Sequence, residues 1–470
     1  MTDLELIYML TFLLAVVTLI PLVVGVFIWA HKRSVDLFEP IYGTTVYFIF
    51  LFVVRSFYAL RSGTLFLGEP PFDPATRRAW ILALLYLIIA FGSFFMAYYS
   101  RLGVALARLM PTLREEWAPV RLPMILLALT IIGLVAFATL VEYFGGFEGY
   151  LTQKQLTLTA GGTTYLYSLL QCLWLGTVVA YIGCLRYGWP SAFTWPLLVL
   201  TLVINTSTGS KGLVFFPILS LIIVHHYIKK PIRLGILLVV SGVGLLFTPL
   251  FNIYRHAASI DEIFSRWLDL LVDPEVFFIH VASRFHGMDA LITAIRDTGG
   301  VMDFQLGATW LPLVTAWIPR VLWPDKPIVS FGKIFGETYW AQFFSGTGSA
   351  PSVTVLGEGY INLHLAGLVW VAILSGITLR AVYRYLIKDN RGSSAVLVYS
   401  LLYGPYLVMF WESDIVGLLT RVSVLCILAI LTARLLSRRR SGQVETADES
   451  ARPATRLHQL GVIDSSDGIR

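Results

Sequence analysis

An all-α, polytopic membrane protein with about eleven transmembrane helices is the fold class that three features of this sequence predict. Apolar residues make up 57% of the 470 and charged residues 14%, against roughly 25% charged in a soluble chain; mean hydropathy is +0.74. Apolar runs of about 20 residues recur, each long enough to cross a hydrocarbon core of about 30 Å. Short basic loops separate the runs, and one long aromatic-rich stretch, 251–360, interrupts them. The expected organisation is an N-terminal membrane region at 1–250, a large external segment at 251–360, a C-terminal membrane region at 361–437 and a tail at 438–470.

The first run, 7–29, has no basic leader and is longer than a signal-peptide core. Lys32 and Arg33 follow it, so it reads as a retained span. Further spans are expected at 41–60, 80–99, 122–141, 165–184, 193–206, 213–228 and 234–250, and then at 361–383, 395–411 and 416–436. The run 193–206 is short, which suits a tilted or partly buried helix. The tail is polar, mixed in charge and too poor in large apolar residues to fold, so disorder is expected there.

Orientation follows from the basic loops. His31-Lys32-Arg33, Arg101 to Arg121, Arg186, Lys229-Lys230 with Arg233, Arg380 to Arg391 and Arg438-Arg439-Arg440 share one side when the spans alternate. That side is the cytoplasm. The N-terminus and the segment 251–360 are then periplasmic in a bacterium, and the C-terminus is cytoplasmic. Orientation of this kind also accounts for the net charge of +6 without a nucleic-acid partner. Cys172, Cys184 and Cys426 all fall inside expected spans, with no metal or redox spacing, and read as packing residues.

A charge in hydrocarbon costs several kcal/mol unless it is paired or reaches water, so the crowding of polar groups at 251–360 marks the working part. Arg255, Arg284, Arg296, Arg320, Lys326 and Lys333 are potential anion ligands. His280, His286, Asp289, Asp325, Glu337 and Glu358 are potential acids and bases. Asp273-Pro274-Glu275 is a helix start, with an N-cap acceptor, proline in the first turn and an acid after it. The helix is expected to run to about Phe285, with His280 and Arg284 four apart on one face, to break at Gly287 and to resume from Asp289. Pro312 and Pro319 divide the apolar stretch 310–323 into short helices lying at the membrane surface, with Trp310, Trp317 and Trp323 at headgroup level. Residues 344–352 read as a loop, and the whole segment reads as a lid of short interfacial helices.

Several constellations suit anion chemistry, and each has a plainer reading. Thr206 to Gly212 joins two spans with hydroxyls, glycines and Lys211 at a helix N-terminus, as phosphate binding requires; a small-residue turn with one interfacial lysine has the same composition. Arg255, Arg284 and Arg320 together match the oxygens of a pyrophosphate, yet each alone suits a lipid headgroup or a nearby carboxylate. Arg55 and Arg421 lie within spans and need partners, for which Glu412, Asp414 or a substrate phosphate are available. Glu358, between Gly357 and Gly359 at the mouth of the ninth span, is a candidate base that small neighbours would leave open to substrate; His286 is the other. A lone histidine is more often structural. The external segment has no D-x-D pair, no H-E-x-x-H and no G-x-S-x-G, so neither a tightly held metal nor covalent serine chemistry is indicated.

Four stretches carry a resemblance: Asp36-Leu-Phe-Glu-Pro40, Thr208-Gly-Ser-Lys-Gly212, Ile318-Pro-Arg-Val-Leu-Trp-Pro-Asp-Lys-Pro327 and Gly357-Glu-Gly-Tyr-Ile-Asn362. Together the chain resembles the bacterial O-antigen or oligosaccharide repeat-unit polymerase (Wzy-type) family, most closely over 252–363. The resemblance implies a GT-C-like, periplasm-facing, metal-independent membrane glycosyltransferase without a cofactor. Such an enzyme moves a glycan chain from undecaprenyl pyrophosphate to the terminal sugar of an incoming lipid-linked repeat unit. It works within membrane lipid, with a chain-length regulator and a flippase as possible partners. On that resemblance Arg255, Arg284 and Arg320 are the matching arginines and Glu358 the matching acid; joined to the reading of the residues, this makes Arg284, Glu358 and His286 the catalytic candidates and Arg255, Arg320, Lys211 and Arg55 the pyrophosphate ligands. Trp310, Trp317 and Trp323 are the sugar-stacking residues. Lys211 stands where relatives often carry arginine, which keeps the charge and loses the bidentate fork. An O-antigen ligase transferring to lipid A core sugar is the nearest alternative. A transporter or flippase of lipid-linked sugar is the alternative of another class, and predicts charges lining a path through the spans.

Overall fold

The protein is described by a computed structural model over residues 2–32, 35–63, 73–111, 113, 116–152, 163–256, 260–282, 284–315, 318, 322–323, 331–340 and 352–437. Its regular structure is helical, with no β-strand among the described residues. Helix ends are set by local chemistry that the sequence displays. Thr2 and Glu5 form a reciprocal cap at the start of α1 (Asp3–Lys32), each backbone N–H donating to the other side chain at 2.8 and 3.3 Å. Asp73 accepts from the Thr76 N–H at 2.7 Å, ahead of Pro74 in the first turn of α3 (Pro74–Tyr99). Between these lies α2 (Pro40–Ser62), which widens through a π-helical turn at Ile49–Val54 and then returns to α geometry.

The chain continues through α4 (Leu122–Tyr143), α5 (Thr163–Tyr187), α6 (Thr194–Ser207), α7 (Lys211–Ile228) and α8 (Leu234–His256). After the segment that follows α8 come α13 (Val355–Tyr383), α14 (Ser393–Leu402) and α15 (Ile415–Leu436); in between stand α9 (Ile260–Val272), α10 (Pro274–Ala282), α11 (Gly287–Asp297) and α12 (Phe331–Tyr339). Nine helices among the described residues are long and apolar enough to cross a membrane, and two shorter apolar helices, Ser191–Ser207 and Ser393–Val408, fall on the remaining expected runs. This is a multi-pass, all-helical membrane protein.

α13 packs along α3 and α5 along α4, with α7 against both α5 and α14. The approach of α13 to α3 needs glycine. A Cβ on Gly376 would stand 2.5 Å from the Phe94 carbonyl oxygen. Phe48, Phe91, Phe94, Trp411 and Tyr98 fill the centre of the bundle.

The segment 251–360 is built differently from the surface lid expected of it. α10 stops at Ala282, short of Phe285, and the chain turns through Arg284 and His286. Helix resumes at Gly287, not Asp289, and the glycine starts a helix where it was expected only to break one. A Cβ there would meet the Leu51 side chain of α2 at 2.3 Å, so close packing is the reason for glycine. α11 is then buried almost throughout, wedged between α3 and α13. Trp310 also turns inward, half-buried against the main core, while Trp323 remains exposed. Trp317, Arg320 and the loop at 344–351 lie outside the described residues, as do the tail and the side chains of Arg255 and His280.

Candidate functional site

The turn between α10 and α11 brings the working side chains together against α2. Phe285 packs its ring on Tyr47 and Phe50, with centroids 5.8 and 5.3 Å away. Its neighbours on either side are thereby held over the same helix. Arg284 donates from Nη1 to Glu412 Oε1 at 2.5 Å, and the Tyr47 hydroxyl donates to the other oxygen of that carboxylate. On the far side of Phe285, Arg55 donates from Nε to Asp289 Oδ2 at 2.7 Å, with both side chains buried. The Arg55 guanidinium also lies over the Tyr58 ring, 4.9 Å from its centroid. Of the partners considered for Arg55, Glu412, Asp414 or a substrate phosphate, neither carboxylate is the one it takes: Arg55 pairs with Asp289, and Glu412 serves Arg284.

His286 sits between these two ion pairs. Its side chain is 17% exposed, and Nδ1 stands 3.9 Å from Asp289 Oδ2. Burial holds the imidazole well below its ordinary pKa, reinforced by the positive charges of Arg55, Arg284 and Lys211. The imidazole is therefore neutral at pH 7, with a lone pair to accept a proton. Arg284, by contrast, is held above its ordinary value by the charge of Glu412.

Lys211 opens α7 after the turn at 208–210, where Gly209 takes a φ of +70°. The hydroxyls that suggested phosphate binding are used locally. Thr206, Ser207 and Thr208 each donate to a carbonyl three or four residues back, at 2.7 to 2.8 Å. The lysine of that constellation has a field that reaches His286. Arg421 turns back on its own helix and donates to the Gly417 carbonyl at 3.0 Å.

Glu358 lies on the first turn of α13 and is wholly buried. Oε1 accepts from the Thr309 hydroxyl at 2.7 Å, and Oε2 from the Ile415 backbone N–H at 2.6 Å. Asn362, one helical turn on, donates to Thr309 Oγ1 at 2.7 Å and accepts from the Gly307 N–H at 2.8 Å. The flanking glycines pack against protein. A Cβ on Gly359 would stand 2.9 Å from the Gly367 carbonyl oxygen, and one on Gly367 would stand 2.1 Å from that of Gly359. The helix makes this approach by kinking at Leu363 and His364.

Sequence reasoning singled out Arg55, Arg284, His286 and Lys211, and the fold gathers these four around one turn. It missed Tyr47, Thr309 and Asn362. Asn362 had a signal: it stands four residues after Glu358, a spacing that places both on one helix face. Tyr47 had none, since its partner is 365 positions away in sequence. The Asp36-to-Pro40 stretch lies elsewhere. Asp36 accepts from the Tyr227 and Tyr383 hydroxyls at 2.9 and 2.8 Å, and Glu39 from Tyr98 and Arg380 at 3.0 and 2.6 Å. These are at the start of α2, about 24 Å from Arg55 at 1.5 Å rise per residue. Among the described residues no three His, Cys, Asp or Glu side chains come together as a metal site needs. No known protein family, curated protein or solved structure matches the chain.

Proposed function

We propose that this protein is a polysaccharide polymerase of a bacterial inner membrane. On this reading it transfers a glycan chain from undecaprenyl pyrophosphate to the terminal sugar hydroxyl of an incoming lipid-linked repeat unit, on the periplasmic side. The observation that carries the reading is His286, 17% exposed, beside the Arg284–Glu412 and Arg55–Asp289 ion pairs at one end of a membrane-embedded bundle. Glycan transfer from a lipid pyrophosphate needs a base for the acceptor hydroxyl and cations for the leaving group. Arg284 and His286 share one turn of chain, and Arg55 comes to it from α2.

In the reaction the acceptor oxygen attacks the anomeric carbon of the donor sugar and the bond from that carbon to the pyrophosphate oxygen breaks. The hydroxyl proton passes to His286, and the electron pair leaves with the lipid pyrophosphate. Arg284 and Arg55 rest on Glu412 and Asp289 before substrate arrives. A pyrophosphate offers the same guanidinium groups oxygens of higher charge, so exchanging a carboxylate for it is electrostatically favourable. Pre-pairing also keeps the cations oriented at low cost in side-chain order. Arg255 and Arg320 remain candidates for the rest of the pyrophosphate, and Trp323, exposed at its edge of the segment, for the sugar rings.

Arg284→Ala is expected to cut chain growth by at least about 100-fold, the scale of losing an oxyanion-stabilising group, with protein level in the membrane unchanged. The product ladder on gels reads this directly. A normal ladder in that variant contradicts the assignment. A ligase leaves long chains on the lipid carrier when inactivated, whereas a polymerase leaves single repeat units on the acceptor.

A further inference from the structure

We propose that Glu358, the most conspicuous acid at the mouth of the spans, is a positioning residue and takes no proton from the acceptor; the inference rests on the transferase reading above. Both oxygens of its carboxylate accept bonds from the protein. One oxygen is held by Thr309 and the other by the Ile415 N–H, at 2.7 and 2.6 Å, and the side chain is sealed from solvent. A base must reach its substrate within hydrogen-bond distance, and the protein that seals Glu358 from solvent stands in the way.

What the two bonds achieve is visible in what they join. Ile415 begins α15, and its N–H is one of the four at a helix start that lack a partner within the helix. Asp414 satisfies the Gly417 N–H at 2.9 Å, and Glu358 satisfies that of Ile415. The start of α15 is thus fixed to α13. Three residues before Ile415 stands Glu412, in the short 3-10 turn Phe410–Glu412 that leads into the helix. Glu412 is the carboxylate that holds Arg284. The other oxygen of Glu358 secures the loop at 305–310 through Thr309. Asn362 completes that side by bonding Thr309 and the Gly307 N–H, at a glycine whose φ is +93°. Glu358 therefore sets where Glu412 stands, and Glu412 sets where Arg284 stands. Burying a carboxylate costs several kcal/mol unless donors satisfy it, and here donors satisfy both oxygens.

The test uses the full chain, purified and reconstituted, as wild type, Glu358→Gln, Glu358→Ala and Glu412→Ala. Glutamine retains one acceptor, so it should keep part of the staple, and alanine none. Amide exchange at Ile415 and over 305–310 should quicken strongly in Glu358→Ala and mildly in Glu358→Gln. Initial rates on lipid-linked repeat units should show the donor KM raised about tenfold in Glu358→Ala, with kcat less affected and glutamine restoring most of the loss. The pH profile should keep the wild-type shape in Glu358→Gln. The double variant Glu358→Ala/Glu412→Ala should bind donor no worse than Glu412→Ala alone, because both act through Arg284.

A fall in kcat of about a thousandfold or more in Glu358→Gln, with loss of the acid limb, would make Glu358 the base and overturn the proposal. Unchanged exchange at Ile415 in Glu358→Ala would overturn it as well. So would a donor KM that stays at the wild-type value while only the yield of folded protein drops. Affinity for inorganic pyrophosphate, measured by titration calorimetry on the same proteins, separates the two claims. A wild type that binds pyrophosphate but makes no glycan overturns the transferase reading. If Glu358→Ala then weakens pyrophosphate binding and Glu358→Gln restores it, positioning stands; equal affinity in all three overturns it.

Discussion

His286 illustrates how much a single side chain depends on its surroundings. Free histidine titrates near pH 6.5, where a base would be half lost. Here burial and three neighbouring cations oppose the second proton. The folded pKa lies below the unfolded one, so the unfolded chain binds more protons as the pH drops below about 6.5. Stability should therefore decline through that window in the wild type and decline less in His286→Gln, read as thermal midpoint against pH. Activity should show the opposite tolerance. The base stays neutral, so the acid limb of the transfer rate should fall below pH 6.5, not at it. A limb centred near 6.5 that vanishes in His286→Gln would mean the imidazole does not feel those cations.

Helices and turns set the geometry that these residues use, and here the sequence was only partly readable. Spans were legible because each must bury a long apolar run, and the runs at 41–60 and 122–141 correspond closely to α2 and α4. α11 was not legible as core. Its sequence, with Asp289, Arg296 and Asp297, has the charges of a surface helix. The reason becomes visible only with partners in place: Asp289 is matched by Arg55, and Arg296 grips Asp297 at 2.8 and 3.1 Å. Pairing across 234 positions leaves no local trace. Gly357-Glu358-Gly359 was misleading for a similar reason, since glycine marks close approach without saying of what. Because Gly359 and Gly367 face each other's backbone, Gly367→Ala has no flexible neighbour to move aside. A loss of about 3 kcal/mol or more is expected, in the range of severe packing defects. Thermal unfolding in detergent would show it, and an unchanged midpoint would contradict the tight kink.

At the scale of the whole molecule, the two polar clusters sit near opposite ends of α2, and the reading of the Arg284–His286 cluster depends on which side of the membrane it faces. The orientation proposed from the loops rich in lysine and arginine has the Asp36–Glu39 end toward the cytoplasm. On that proposed orientation the Arg284–His286 end faces out. A phosphatase reporter joined after Gly300 should be active and a fluorescent protein joined after Ser437 should glow; the reverse pattern would turn the site inward. The proposed transferase needs that orientation, because it is read as acting on repeat units on the periplasmic side.

Reconstituted protein given purified lipid-linked repeat units tests the central claim most directly. Elongated lipid-linked glycan is the predicted product, with one undecaprenyl pyrophosphate released for each unit added and Arg284→Ala releasing none. Units carried across the bilayer at unchanged length, or a ladder made equally well by Arg284→Ala, would contradict it.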